Sequence, residues 1–173
     1  MVGVREGELG DAEAIVQLTA AGWRTAYRGI VDPERIAELP ISAWRHDVRT
    51  GLRSPVADAF TRIAEIDGQI AGYCYVAAPG RDQPEGSPIA ELVAIYVAPE
   101  RWRQGIGRAL MESAAAEARR LGYGELILWT FDDNARAKAF YVALGWSPDG
   151  AARPHEASGA PTVRLRRVLQ QAE

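Results

Sequence analysis

The stretch 94-AIYVAPERWRQGIGRALM-111 decides how the chain folds. Its first residues end a run of apolar and β-branched side chains, residues 89–97, which predicts a strand that Pro99 closes. After a turn, apolar residues recur at helical spacing from Gly105 to Leu121, and Gly122 supplies a C-terminal stop. The stretch therefore predicts a strand, a short turn and a helix that begins at closely spaced glycines.

The start of this helix is a candidate anion site. The first N–H groups of a helix have no internal partner and carry partial positive charge. Glycines at 105 and 107 place no side chain between those groups and a bulky phosphate. Arg101, Arg103 and Arg108 add positive charge around the same rim. One alternative stays open here: the glycines allow close helix–sheet packing, and the arginines solvate the helix end.

Two other phosphate-binding motifs do not match this segment. A dinucleotide-binding fingerprint requires a third glycine at position 110, where the chain has Leu110. A P-loop requires Gly-Lys followed by Ser or Thr, which does not occur. Binding of a dinucleotide, or of a nucleotide in a P-loop, is therefore disfavoured.

The rest of the chain continues the alternation of strands and helices. Asp67-Gly68 suits a tight hairpin turn between two strand-like runs. The predicted order is β, α, α, β, β, β, α, β, α, β, β, with two strands in residues 146–169. The remaining predicted elements are strands at 2–5, 60–65, 69–77 and 126–131, and helices at 11–27, 33–52 (broken at Pro40) and 134–144.

Composition restricts the class of protein. The 173 residues predict a single domain, 1–173, and 47% hydrophobic with 25% charged residues exclude a disordered chain. A net charge of −3 argues against a nucleic-acid partner. One cysteine and two distant histidines predict no metal site. The absence of a signal peptide or apolar span predicts a cytoplasmic protein with no membrane partner.

A second motif, 134-NARAKAFYVALGW-146, contains the last predicted helix. With 91-ELVAIYVAP-99 and 103-RQGIG-107, it makes the chain resemble the GNAT superfamily of N-acetyltransferases. The family's second block matches throughout. The acyl-CoA signature departs at its first position, where Trp102 replaces Arg or Gln, and Arg103 and Gln104 are the nearest side chains to steady the loop instead.

The resemblance implies an α/β (α+β) fold. It has a mixed, mostly antiparallel sheet of six to seven strands flanked by about four helices, with parallel strands 4 and 5 splayed at their C-terminal ends. Acetyl-CoA is the implied co-substrate. The implied cofactor-binding residues are Ile95 and Val97 for pantetheine, the amides of Arg103, Gln104, Gly105, Ile106, Gly107 and Arg108 for pyrophosphate, Asn134 for pantetheine or the next helix, and Phe140, which is alternatively a core residue.

The resemblance also implies catalytic residues. Tyr141 is the candidate acid that protonates the departing thiolate, with a half-buried packing residue as the alternative. Glu91 is the candidate base, acting through water, with a solvated strand end as the alternative. Strand alternation places Glu91, Val93, Ile95 and Val97 on one face. Cys74 has no basic neighbour in the sequence, which favours a buried apolar role and direct transfer over a covalent route.

The acceptor is the least defined part of the prediction. Trp23, Tyr27 and Arg28 are candidate substrate residues, with helix core as the alternative for Trp23. Two functions stay open: an N-acetyltransferase acting on a primary amine of a small molecule or peptide, and a catalytically weak acyl-CoA-binding sensor. Whether the protein is a homodimer also stays open.

Overall fold

A computed structural model describes residues 1–79 and 88–169. Most of the loop predicted at 79–88 lies outside the described residues. Seven strands form one sheet in the order β1-β2-β3-β4-β5-β7-β6. The strands are β1 (Val2–Glu6), β2 (Phe60–Ile66), β3 (Gln69–Ala77), β4 (Ile89–Val97), β5 (Glu125–Phe131), β6 (Ser147–Pro154) and β7 (Pro161–Val168).

Among the described residues, five α-helices flank the sheet: α1 (Ala12–Ala26), α2 (Pro33–Ala37), α3 (Ile41–Arg53), α4 (Ile106–Arg120) and α5 (Ala135–Val142). The break predicted at Pro40 separates α2 from α3, since proline ends a helix by removing a main-chain donor. Asp67 and Gly68 both have positive φ, as the predicted hairpin turn requires. The predicted fold class is confirmed.

The sheet opens between β4 and β5. These two strands are parallel, and they pair only through Ile89 with Glu125, Ala90 with Leu126, and Glu91 with Ile127. Every other strand pair is antiparallel. The two strands therefore separate directly after Glu91, and their C-terminal halves form the sides of a fork. This confirms the predicted splay.

A β-bulge in β4 corrects one expectation. Tyr75 lies opposite Ala94 but Val76 lies opposite Leu92, so Val93 is an extra residue. Because a bulge reverses the alternation, Leu92 and Ile95 both pack toward α4. The prediction that Glu91 shares a face with Ile95 and Val97 is therefore wrong. Glu91 lies instead on the opposite face.

Two apolar clusters cover the two faces of the sheet. On one face, α4 packs small and branched side chains such as Leu110 and Ala114 against the central strands. On the other face, Ile15 and Leu18 of α1 pack with Ile63 and Tyr73. The fork between β4 and β5 therefore adjoins apolar packing on both faces of the sheet.

Residues 1–79 and 88–169 contain neither a membrane-spanning helix nor a cluster of metal-ligating side chains. No helix there is long and apolar enough to cross a membrane. No group of three or more His, Cys, Asp or Glu side chains there is arranged to hold a metal ion.

Candidate active site

A cavity of about 430 Å³ occupies the fork. Its volume falls within the range of small-molecule sites, ~300–1,000 Å³. The C-terminal half of β4 forms one wall, β5 and α5 form another, and the loop before α4 forms the rim. Of the described residues that line it, four carry guanidinium groups and none carries a carboxylate: Arg101, Arg103, Arg108 and Arg136. The cavity is therefore suited to an anionic ligand.

The rim loop bends sharply before α4. Arg103 has a φ of 64° and Gly105 a φ of 82°, both in the left-handed region. Alternation of this kind turns successive main-chain N–H groups toward one concave side and forms an anion nest. A Cβ built on Gly105 meets no atom within 4 Å, so this glycine is required for its backbone conformation. The nest adjoins the first N–H groups of α4.

Gly107 leaves room for an aromatic ring, while the phosphate contact expected of it stays a prediction. A Cβ built there would lie 3.0 Å from Cζ of Phe140. The missing side chain therefore lets the Phe140 ring pack onto the first turn of α4. Phe140 packs against the core and also lines the cavity, so its cofactor contact stays a prediction compatible with a packing role.

Trp102 steadies the rim loop. Its indole N–H donates to the carbonyl of Val97 at 3.0 Å, which ties the loop back to the end of β4. The Arg136 guanidinium lies 3.7 Å from the centroid of the Trp102 ring. Arg103 and Gln104 were the expected stabilisers, but both are exposed, and Gln104 does not line the cavity.

The open edge of β4 faces the fork. The Ala98 N–H donates to the Ala71 carbonyl at 2.9 Å, toward β3. In an antiparallel pair every second residue bonds to the partner strand. The main-chain groups of Ile95 and Val97 therefore point to the other edge, where β5 has already separated. This edge is available to a ligand that pairs as an added strand does.

Tyr141 closes the inner end of the cavity from α5. It is buried, and its ring contacts Phe140 and Trp146 at centroid distances of 5.3 and 6.1 Å. Burial raises the pKa of the Tyr141 hydroxyl, and neighbouring Tyr27 raises it further. The phenol therefore keeps its proton at neutral pH.

Glu91 lies at the vertex of the fork, half-buried, as the last β4 residue paired with β5. It is not among the residues that line the cavity. By strand alternation it shares a face with Ala94 and Tyr96, which do line it. Asn134 is buried and caps α5 by accepting from the Ala137 N–H at 3.1 Å, while also lining the cavity.

A family model described as the acetyltransferase (GNAT) family matches residues 22–146. The chain belongs to this family. N-acetyltransferase YuaI of Bacillus subtilis, whose name calls it uncharacterized, is 31% identical over 97% of this chain and 91% of its own. Mycothiol acetyltransferase of Cellulomonas flavigena is 34% identical over 60% of this chain, which spans about a third of that relative's length (33%).

Solved structures share the fold of this GNAT chain. PaiA N-acetyltransferase of Thermoplasma acidophilum, in complex with coenzyme A, superposes with a TM-score of 0.79 over 97% of this chain and 99% of that one, at 19% identity. Ribosomal-protein-alanine N-acetyltransferase of Brucella melitensis has a TM-score of 0.75 over 96% and 99%, at 20% identity. At this identity the likeness concerns the fold alone.

The GNAT chain has an aromatic cluster beside the fork. Trp23 contacts Tyr27, Trp44 and His155 edge-on or tilted, with centroid distances of 5.1–5.8 Å. The Trp23 indole donates to the Tyr96 hydroxyl at 3.0 Å, and the hydroxyls of Tyr27 and Tyr96 lie 3.3 Å apart. Of the predicted substrate residues, only Tyr27 lines the cavity; Trp23 packs behind it, and Arg28 is exposed.

Cys74 has the buried apolar role that the sequence favoured. Its thiol is fully buried under α4, and burial raises its pKa to about 12. A thiol with that pKa stays protonated and unreactive at neutral pH.

The cavity brings together most of the predicted cofactor residues with Tyr27 and Tyr141, but neither Gln104 nor Glu91. Sequence reasoning missed Arg136 and Trp129, and it left Trp102 without a role. Of these residues, Arg136 had a signal in the sequence, because it belongs to the second motif. It follows the helix-capping Asn134 by two residues, which places its guanidinium at the sheet edge where the cavity opens. The missed lining residues also include Gly22, Ala26, Leu92, Val93, Leu128, Thr130 and Ala137.

Proposed function

We propose that this protein transfers the acetyl group of acetyl-CoA to a primary amine of a small molecule or peptide, directly within a ternary complex. The observation that carries the proposal is the cavity in the fork: arginines and a main-chain anion nest at its rim, an open strand edge along its wall, and a buried tyrosine at its inner end. Membership of the GNAT acetyltransferase family supports the same reaction.

The described residues fit acetyl-CoA in three places. The nest at 103–105 and the first turn of α4 suit the pyrophosphate. The edge groups of Ile95 and Val97 suit the amides of pantetheine, although one carbonyl of that edge, Val97, already accepts from Trp102. Phe140 offers an apolar surface beside the chain of the ligand. When bound, acetyl-CoA supplies an activated thioester.

Two side chains move protons in this proposal. Glu91 accepts the proton of the acceptor amine through a water molecule, since it lies at the vertex of the fork and not on the cavity wall. A β4 main-chain N–H stabilises the charge that develops on the thioester oxygen. As the C–N bond forms and the C–S bond breaks, Tyr141 donates its proton to the departing sulfur. The buried Cys74 thiol supports direct transfer over a covalent intermediate.

The acceptor remains the broadest part of the proposal. Tyr27 and Tyr96 line the cavity and bring aromatic rings and hydroxyl groups to it, a lining compatible with a cationic amine before it loses its proton. The names of the similar proteins print different compounds, mycothiol for one and a ribosomal-protein alanine for another, so likeness selects no acceptor.

The test is release of free CoA thiol when purified protein is mixed with acetyl-CoA and a panel of primary amines. We expect saturable, amine-dependent thiol release with at least one acceptor, and none when a tertiary amine replaces the primary one. Saturable CoA binding with no turnover on any amine would favour the alternative, a catalytically weak acyl-CoA-binding sensor. The cytoplasmic location, the single domain and a homodimer stay predictions that this assay does not address.

A further inference from the structure

An arginine of α5 lies against the aromatic side chain at position 102. The family signature places Arg or Gln there, and this chain has Trp102. Arg136, the second residue of α5, lies with its guanidinium carbon 3.7 Å from the centroid of the Trp102 ring. Both residues line the cavity.

The Trp102 ring is a fixed platform. Its N–H bond to the Val97 carbonyl, at 3.0 Å, sets the plane of the indole relative to the end of β4. A guanidinium that stacks on an aromatic ring uses its face for that contact. The N–H groups around its edge stay available for planar, two-point recognition of a phosphate.

The charge of Arg136 is not neutralised by the described part of the chain. No carboxylate of residues 1–79 or 88–169 lies within ion-pair distance of it, whereas Lys138 on the same helix pairs with Asp132 at 2.8 Å. Arg136 is exposed and lines the same cavity as the nest residues Arg103 and Gly105. An unpaired cation stacked beside an anion nest is an arrangement suited to an anionic ligand.

We infer that Arg136 binds a phosphate group of coenzyme A and that Trp102 orients it, so that α5 supplies the cation missing from position 102. The inference rests on the proposed function, because it names a phosphate contact of that same ligand. The phosphate belongs either to the diphosphate bridge or to the 3′ position of the ribose, two groups with the same chemistry.

The first test measures the Kd of CoA and of dephospho-CoA by calorimetry for Arg136→Gln. We expect CoA to bind about 10-fold more weakly, the loss typical of a hydrogen-bonded charge. An equal loss with dephospho-CoA assigns the diphosphate, and no loss with it assigns the 3′-phosphate. Arg119→Gln, on the exposed last turn of α4 and away from the cavity, is the matched control and keeps wild-type affinity. Unchanged CoA affinity in Arg136→Gln overturns the inference.

The second test separates orientation from folding. Trp102→Leu removes the ring on which Arg136 stacks, so CoA affinity falls when this is the only change. The same substitution costs less affinity when Arg136 is already Gln, because the two changes remove one shared contact. Trp102→Phe keeps a ring face and loses less affinity. In Arg136→Gln, Trp102→Leu and Trp102→Phe we expect the loss to appear mainly as a raised KM for acetyl-CoA, with a smaller effect on kcat. Additive losses in the double variant contradict the orienting role. Failure of wild-type protein to bind CoA would instead remove the proposed function itself.

Discussion

Replacing Tyr141 with phenylalanine lowers kcat about 100-fold and leaves the Kd of acetyl-CoA nearly unchanged. Three tyrosines are among the described lining residues, Tyr27, Tyr96 and Tyr141, and Tyr141 is the one carried by α5. The thiolate of CoA is already a fair leaving group, so we expect the lower end of the effect that general acids provide, about 10²–10⁴. Steady-state kinetics and calorimetry measure the two quantities separately.

The pH dependence of this step has a defined sign. Burial raises the pKa of the Tyr141 hydroxyl above its ordinary value of about 10. The acid form is therefore fully present throughout the neutral and mildly alkaline range and is lost only as the pH rises through that raised pKa. We expect the alkaline side of the kcat profile to stay flat up to about pH 9, with no decline assignable to Tyr141.

A matched control distinguishes the acid from a packing residue. Tyr123→Phe also removes a hydroxyl from a partly buried ring, but this residue does not line the cavity, and kcat stays at the wild-type level. The Tyr141 ring contacts Phe140 and Trp146. A Tyr141→Phe protein with normal kcat, or with weakened acetyl-CoA binding as its main defect, would assign the tyrosine to packing alone.

Gly107→Val weakens CoA binding at least about 10-fold. A Cβ at this position lies 3.0 Å from Cζ of Phe140, and the two further methyl groups of valine worsen the overlap. Either the ring moves into the cavity or the first turn of α4 shifts, and both disturb the main-chain N–H groups that form the proposed phosphate site. Calorimetric titration with CoA measures the loss, and circular dichroism checks that the variant is folded.

The Phe140→Ala background tests the cause of that loss. If the added side chain acts through the ring, Gly107→Val costs much less affinity when Phe140 is already Ala. If the valine instead contacts the phosphate directly, the same loss persists in both backgrounds, and the steric account through Phe140 is wrong. Normal CoA affinity in folded Gly107→Val would remove the start of α4 from the binding site altogether.

Periodicity and turn chemistry predict most of the fold, because each strand and helix has a local signal. The Asp67-Gly68 turn and the helix that follows Gly105 are examples. The bulge at Val93 has no such signal, since an extra residue in a β-branched run looks like any other. Missing the bulge put Glu91 on the face of Ile95 and Val97, whereas it lies on the face of Ala94 and Tyr96.

The candidate site was predictable where the main chain forms it and less so where distant side chains meet. Arg103 and Gly105 belong to one motif, and the loop they form is visible in the sequence. The stacking of Arg136 on Trp102 joins two motifs far apart in the chain, so it depends on how α5 returns to the rim of the cavity. The contact of Gly107 with Phe140 is of the same kind.

A crystal structure of the protein grown with coenzyme A gives the most direct evidence on the rim of the fork. We predict that oxygens of the diphosphate lie about 2.7–3.2 Å from main-chain nitrogens within residues 103–108, with the sulfur reaching inward toward Tyr141. A diphosphate bound elsewhere on the protein, with those nitrogens in contact with other protein atoms, would contradict the account.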